Sequence, residues 1–363
     1  MQNDHAGQNR LFNFDKNFEM LQKLSLVFLF PILSLTASAD EFYINGGTGN
    51  DANPGNKSQP LKTIAEAARR INSNSVKGTT TVILEEGIYP LIETVLFNNN
   101  KFSTQDRLII RAEILPDDSK WVPQSMPIIT SVIPTLPVKG DGEEARGLDI
   151  EASHVTIQGI RFTGSPVNYY IDGKQNRRYY PIWRSGKNLE DLLVTQCMFA
   201  GNVDVLPIRV AVIANGHGLV VDHCVFFNCQ NAVVFWEADG GTSYHNVMRF
   251  CLVYQSNYSG VWTTANTGDD FEFHHNVIAN SRTAWIRDNN STHHYQLHDC
   301  ILTTNMNVTG NGGGNAISSN FLKMQNVRLS GTIQIEKDQG KKNYLQMEEE
   351  SLDSDLKAGL FIK

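Results

Sequence analysis

The chain has no surplus of positive charge. Lys and Arg number 31 against 38 Asp and Glu, a formal net charge of -7 over 363 residues. Nucleic-acid binding needs a basic footprint, so that class is excluded, and nothing electrostatic draws the chain to an anionic membrane. Long apolar runs are also missing. The one marked run, Leu24 to Leu35, is shorter than the roughly 20 residues a membrane helix needs. Only five cysteines occur, without the paired short spacing of zinc ligands. A nucleotide-binding glycine loop, a nucleophile elbow and a zinc-protease helix are all absent. With 41% hydrophobic and 19% charged residues, disorder is excluded and a sizeable core is expected.

The short apolar run has its own meaning. Lys23 precedes it and Ala37-Ser38-Ala39 follows, the charged start, apolar centre and small-residue cleavage site of an export signal. Residues 1–39 are therefore expected to be a signal segment, with Met20 as the true start and a mature chain beginning near Asp40. The expected location is secreted, periplasmic or cell-surface.

What is present in quantity is a repeat. Seven segments follow the pattern apolar, x, apolar, x, x, key residue, x, apolar, with only Asn246 breaking the apolar rule in the first column. They are Val155/Ile157/Ile160/Phe162, Leu192/Val194/Cys197/Phe199, Leu219/Val221/Cys224/Phe226, Asn246/Met248/Cys251/Val253, Phe271/Phe273/Asn276/Ile278, Tyr295/Leu297/Cys300/Leu302 and Leu322/Met324/Val327/Leu329. Successive key residues lie 37, 27, 27, 25, 24 and 27 positions apart. Alternation of period two means strand, and the two-residue skip means a sharp bend between two short strands. A period near 25 gives one unit per solenoid turn; a propeller blade needs about 40–50 residues. The expected architecture is all-β, a right-handed parallel β-helix over residues 40–335, with 336–363 a polar tail or cap.

Stacked strands lie about 4.8 Å apart, so equivalent positions form columns. The key column holds Cys197, Cys224, Cys251, Asn276 and Cys300. Cysteine acts there as a small buried filler, with a Cys197–Cys224 or Cys224–Cys251 bridge left open. A third strand follows each bend at Ala232–Trp236, Ser259–Thr263 and Ala284–Asp288. A constant offset of eight residues from the key position turns Val234, Val261 and Ile286 inward. It turns Val233, Gly260 and Trp285, then Phe235, Trp262 and Arg287, outward.

The segment Tyr43-Ile44-Asn45-Gly46-Gly47, then Asn53-Pro54-Gly55, Gln59-Pro60-Leu61-Lys62-Thr63-Ile64 and Thr81 to Tyr89, resembles the N-terminal cap of secreted pectate-lyase-like β-helix proteins. There a helix, here Ile64–Ile71, plugs the end of the solenoid. Leu108–Ala112, Leu148–Ile150 and Val155–Phe162 look like the early coils of that group. The resemblance spans about residues 42–335 and implies this fold. It leaves activity open among lyases, glycoside hydrolases, epimerases and non-catalytic proteins. Asn215-Gly216-His217-Gly218 and Gly268-Asp269-Asp270 are similar to polygalacturonase elements but stand in reversed order, without the later Arg-x-Lys element. The Trp-x-Asp-His element of pectate lyases is absent.

Sugar chains are held by flat aromatic faces and polar groups together. Candidate substrate-binding residues are Phe235, Trp262, Trp285, Tyr244, His245 and His293, and candidate catalytic residues are Glu237, Asp270, Asp288 and Arg287. In hydrolysis one carboxylic acid protonates the leaving oxygen and another activates water or attacks. Separations of about 5–5.5 Å serve retention and about 6.5–9.5 Å inversion, so Glu237 with Asp270 or Asp288 on nearby turns suits either. In β-elimination Arg287 would neutralise a uronate, and Asp239 and Asp269, with Asp270, would hold Ca²⁺. The alternative is a non-catalytic glycan-binding or adhesion solenoid. A second polar column, Asp222, Arg249, His274 and His298, with His223, His275 and Asp299 beside it, reads as a surface charge ladder. The expected partner is a polysaccharide or oligosaccharide and the expected state a monomer, with no membrane span once the signal is removed.

Overall fold

The computed structural model describes residues 40–73, 78–138, 142–166, 170–171, 174–175, 177–186, 188–236, 241–311, 319–331, 333–348 and 356–362. Residues 1–39, the expected signal segment, thus lie outside the described residues. Among the described residues, Asp40 to Ser330 form a right-handed parallel β-helix built on three long sheets. The first sheet holds ten strands, from Asp40–Ile44 to Leu322–Gln325, and the second nine, from Ile88–Leu91 to Arg328–Ser330. The third runs from Val95–Phe97 to Asn307–Asn311, with Leu136–Val138 added antiparallel on Gly142–Ile150. Each turn of the chain visits first, second and third sheet in that order.

The bend between first and second sheets is made by one residue in the left-handed region. Gln196, His223, Phe250, His275, Asp299 and Asn326, each just before a key position, have φ between 48° and 54°. Gly159 takes the same place in an earlier turn at φ 73°. Such a φ reverses the alternation within a single residue, which is the skip seen in the repeat. The amide of the bend residue then bonds the next turn, as in Gln196 N to Asp222 O at 3.2 Å and His223 N to Arg249 O at 3.2 Å.

Inside, like residues stack. Phe162, Phe199 and Phe226 stand 5.0 Å apart with nearly parallel rings. Cys197, Cys224 and Cys251 form the expected column. Their thiols donate to carbonyls two residues back, for example Cys251 Sγ to Arg249 O at 3.2 Å. All five cysteines are buried free thiols, so neither candidate bridge is formed. Asn276 continues the column as a polar clamp: its Oδ1 accepts from Cys251 N at 2.9 Å and its Nδ2 donates to Met248 O at 2.8 Å.

The N-terminal end is closed by helix α1, Ile64–Ser73, which buries Ile64, Ala67, Ala68 and Ile71. Thr63 caps it, accepting from Glu66 N at 3.1 Å. The C-terminal segment lies along the side of the solenoid. Residues 333–348 and 356–362 cover the outer column of the second sheet, Met198, Val225, Leu252, Val277 and Ile301, with Ile333, Ile335, Tyr344, Met347 and Leu360. The stretch that composition marks as polar thus carries scattered apolar anchors.

Candidate functional site

The third sheet decides which side chains reach solvent. Its register aligns Ile182, Val212, Val233, Val261 and Trp285 in one column, with Trp183, Ile213, Val234, Trp262 and Ile286 in the next. The column after that holds Arg184, Ala214, Phe235, Thr263 and Arg287. The first and third of these point inward and the second points out. Trp285 and Phe235 are therefore core residues with no exposed surface. Trp285 packs on Phe273 at 5.1 Å, and Phe235 on Phe271 at 4.3 Å. Arg287 also turns inward, its guanidinium 4.5 Å from the Phe321 ring and Nη1 donating to His293 O at 2.7 Å.

These three placements correct the sequence expectation, as do Val233, which faces inward, and Val234 and Ile286, which face outward, and the cause is a turn length. The left-handed residues Asn228, Gln255 and Asn280 precede the third-sheet strands. The strands begin at Asn231, Ser259 and Thr283, so the turn after Gln255 is one residue longer than its neighbours. A constant offset slips the register, and a slip of one exchanges faces. Alternation also fails locally: Ala232 and Val233 are both fully buried in the core.

On the outer face a second apolar cluster forms, separate from the core. Tyr180, Val210, Ile213 and Val234 pack with the half-buried Trp183, Trp236 and Trp262. Trp262 stands outward as expected. Its Nε1 donates to Asp288 Oδ1 at 2.7 Å, and Tyr258 flanks it at 5.7 Å.

The other end of this face is polar. Leu148 and Ile150 point into the core, so Asp149 and Glu151 point out. The Ser185 hydroxyl, one turn on, lies 3.1 Å from Asp149 Oδ1 and 3.5 Å from Glu151 Oε1. Arg146 donates to Asp149 Oδ2 at 3.1 Å and Glu144 Oε1 at 2.8 Å, and lies 4.1 Å from the Trp183 ring. Burial raises the Asp149 pKa above the usual carboxylate value, against the pull of Arg146 and Ser185. Behind the face, Arg184 is fully buried, its Nε donating to Asn215 O at 2.7 Å; burial lowers its pKa to about 9. Asp149, Glu151 and Arg146 were missed by the sequence reading because they precede the regular repeat, and Trp183 and Ser185 because they fall in its irregular 37-residue step. The alternation Leu148-Asp149-Ile150-Glu151 was the signal that would have found the two acids.

The loops from third to first sheet make a second polar group. His245 Nδ1 lies 2.6 Å from Asp270 Oδ2, which also accepts from His245 N at 3.0 Å. The His245 side chain is 80% exposed, so the carboxylate orients an imidazole that is open to solvent. Tyr244 stacks on His217 at 5.7 Å, and His293 Nδ1 lies 4.0 Å from the exposed Asp269. Of the expected site residues, the structure thus joins His245 with Asp270, Trp262 with Asp288, and His293 with Asp269 and Arg287. Glu237 and Asp239 lie outside the described residues. Among the described residues no group of three or more His, Cys, Asp or Glu is placed to hold a metal ion. No helix among them is long and apolar enough to cross a membrane.

At the bend, Arg249 Nε donates to Asp222 Oδ1 at 3.0 Å, and the His274 and His298 rings stack at 5.0 Å. Burial, with the neighbouring His275, His298 and Arg249, lowers the His274 pKa. His223 is buried against the Phe250 ring at 4.8 Å, with Nδ1 3.2 Å from Gly359 O of the C-terminal segment.

No family model and no curated protein matches this sequence. Solved structures do resemble it. A glycoside hydrolase family 136 lacto-N-biosidase from Eubacterium ramulus superposes with TM-score 0.50 at 10% identity, over 87% of this chain and 58% of that one. A pectin methylesterase in complex with a hexasaccharide gives 0.45 at 11% identity, over 88% and 97%. A rhamnogalacturonan lyase gives 0.40 at 12% identity, over 73% and 68%. The chain thus spans little more than half the length of the lacto-N-biosidase. At 10% identity the likeness to the lacto-N-biosidase shows the fold alone.

Proposed function

We propose that this protein is an exported carbohydrate-active β-helix that binds a glycan along the outer face of its third sheet and hydrolyses a glycosidic bond there. The observation that carries the reading is the outer cluster with Trp183, Trp236 and Trp262. Half-buried tryptophans outside the core, on a sheet edged by carboxylates, offer the flat apolar surface and polar rim that a pyranose chain needs. Hydrolysis is favoured over β-elimination because Arg287, the expected partner of a uronate, faces the interior. The shared fold also serves a lacto-N-biosidase. The signal-like segment at 20–39 supports export, and cell fractionation tests it.

One observation favours the binding-only reading. Asp270 is taken up by His245 and Asp288 by Trp262, as in a surface built to hold rather than to cut. A panel of neutral and acidic oligosaccharides, followed by mass spectrometry of products and by gel retardation, separates the two. New reducing ends support hydrolysis, and ultraviolet-absorbing unsaturated ends would show elimination instead. Retardation without any product would leave a glycan-binding solenoid. With neither, the face is not a sugar site. Trp262→Ala should weaken retardation about tenfold.

A further inference from the structure

We propose that Asp149 and Glu151, set on either side of the Ser185 hydroxyl, are the acid and the nucleophile of a retaining glycosidase acting on a neutral pyranoside. This rests on the reading of the third-sheet face as a sugar site and adds where and how the bond is cut. Asp149 lies on the strand Gly142–Ile150 and Glu151 one residue past its end, and both reach the Ser185 hydroxyl, beside Trp183, which pairs with Asp149 on the next turn. Both oxygens lie on one hydroxyl, at 3.1 and 3.5 Å, so they stand at most 6.6 Å apart. That bound admits the spacing of about 5–5.5 Å required for retention and lies at the lower edge of the range of about 6.5–9.5 Å that leaves room for a water in inversion.

Environment divides the roles. The Asp149 side chain is 9% exposed, whereas Glu151 is exposed. Burial favours the protonated form of Asp149, while the Glu151 side chain is open to an incoming sugar. The charged groups facing Asp149 are Arg146, Glu144 and, across the Ser185 hydroxyl, Glu151. Arg146 is shared between Glu144 and Asp149, so it is in place to receive the carboxylate that Asp149 becomes.

In the first step a Glu151 oxygen bonds the anomeric carbon. The bond from that carbon to the leaving oxygen breaks, and the oxygen keeps the electron pair and takes the Asp149 proton. The Ser185 hydroxyl, which has one proton to give, turns from Glu151 to the new Asp149 carboxylate. In the second step Asp149 takes a proton from water as the water oxygen bonds the anomeric carbon. Glu151 then leaves as a carboxylate, and one water is consumed per bond. The pairing of Arg146 with Glu144 and Asp149 leaves its charge engaged, so the substrate expected here is neutral.

The test uses the full chain with nitrophenyl glycosides of galactose, glucose, N-acetylglucosamine and rhamnose in both anomers, together with lacto-N-tetraose and xylan oligosaccharides. Proton NMR of the first-formed sugar should show the anomer of the substrate. Glu151→Gln should lower turnover by about 100-fold or more on every active substrate. Glu151→Ala with azide should return the glycosyl azide of opposite anomer. Asp149→Asn should lose the alkaline limb of the pH–rate profile and spare nitrophenyl substrates relative to oligosaccharides, since an activated leaving group needs no acid. Unchanged thermal unfolding confirms that each variant is folded. An inverted product, or full turnover in Glu151→Gln, overturns the proposal. Gel retardation by glycans with no hydrolysis of any substrate overturns it as well but leaves the sugar-binding face standing. Absence of both removes the face and the pair together.

Discussion

The indole Nε1 of Trp262 donates to Asp288 Oδ1 at 2.7 Å, tying a ring on one turn of the solenoid to a carboxylate on the next. An outward tryptophan on a parallel sheet otherwise rotates about its side-chain bonds. This bond holds the ring at one angle on the outer face, so Asp288 acts as a positioning residue. Asp288→Ala should weaken glycan binding about five- to tenfold, the value of one hydrogen bond. Asp288→Asn, which keeps an acceptor, should bind and turn over near the parent level. Affinity electrophoresis and product release measure both, and loss of turnover in Asp288→Asn would return Asp288 to the chemistry.

The cysteine column makes a second prediction. All five thiols are buried, and burial pushes the pKa values of Cys197, Cys224, Cys229 and Cys300 up, that of Cys300 to about 12. The thiolate is the reactive form. A thiol reagent at neutral pH should therefore label none of the five in the native protein and all five after denaturation. Fewer than five in the denatured, unreduced protein would reveal a bridge.

Acid should loosen the C-terminal segment. The pKa of His223 is lowered by burial, only partly offset by Asp222 and the Gly359 carbonyl; Asp117 and Arg249 also face it. A histidine whose folded pKa lies below its unfolded value of about 6.5 favours the fold only when neutral. That stability is complete above pH about 6.5 and is lost as pH falls below it. Between pH about 7 and about 5 the melting temperature should fall more steeply for the parent than for His223→Gln. Proteolysis after residue 333 should rise over the same range. Identical pH slopes would refute this.

The left-handed bend can be tested where little else is bound. Asn326 has φ 52° and is exposed, with a hydrogen bond to Asp299 at 3.2 Å. Asn326→Val should cost about 1–2 kcal/mol, because a β-branched side chain clashes there, while Asn326→Gly should cost far less. Denaturant melts of the two decide the matter.

Removing residues 333–363 should uncover the column of Met198, Val225, Leu252, Val277 and Ile301. A continuous apolar stripe of that length drives association. The truncated chain should bind a hydrophobic dye and elute as aggregates, and a dye-silent monomer would show that the segment is dispensable.

How much of this was legible can be traced residue by residue. The stack of Cys197, Cys224 and Cys251 followed from spacing alone, because the bend before each key position is always one residue wide. The outward place of Trp262 was legible, while Phe235, Trp285 and Arg287 were assigned to the wrong face. The extra residue between Gln255 and Ser259 is invisible without the strand pairing it shifts. Asp149 and Glu151 sat in a readable alternation, yet the 37-residue step that follows hid the turn they belong to.

The amino-acid sequence by itself determined the coiled ribbon, since a 25-residue period of alternating apolar residues has only one way to bury them all. Tertiary structure alone decided which side chains meet at the surface. Facing in a parallel sheet depends on turn length to the single residue, and contacts such as Ser185 with Asp149, or His223 with Gly359, join positions 36 and 136 apart that no local pattern connects.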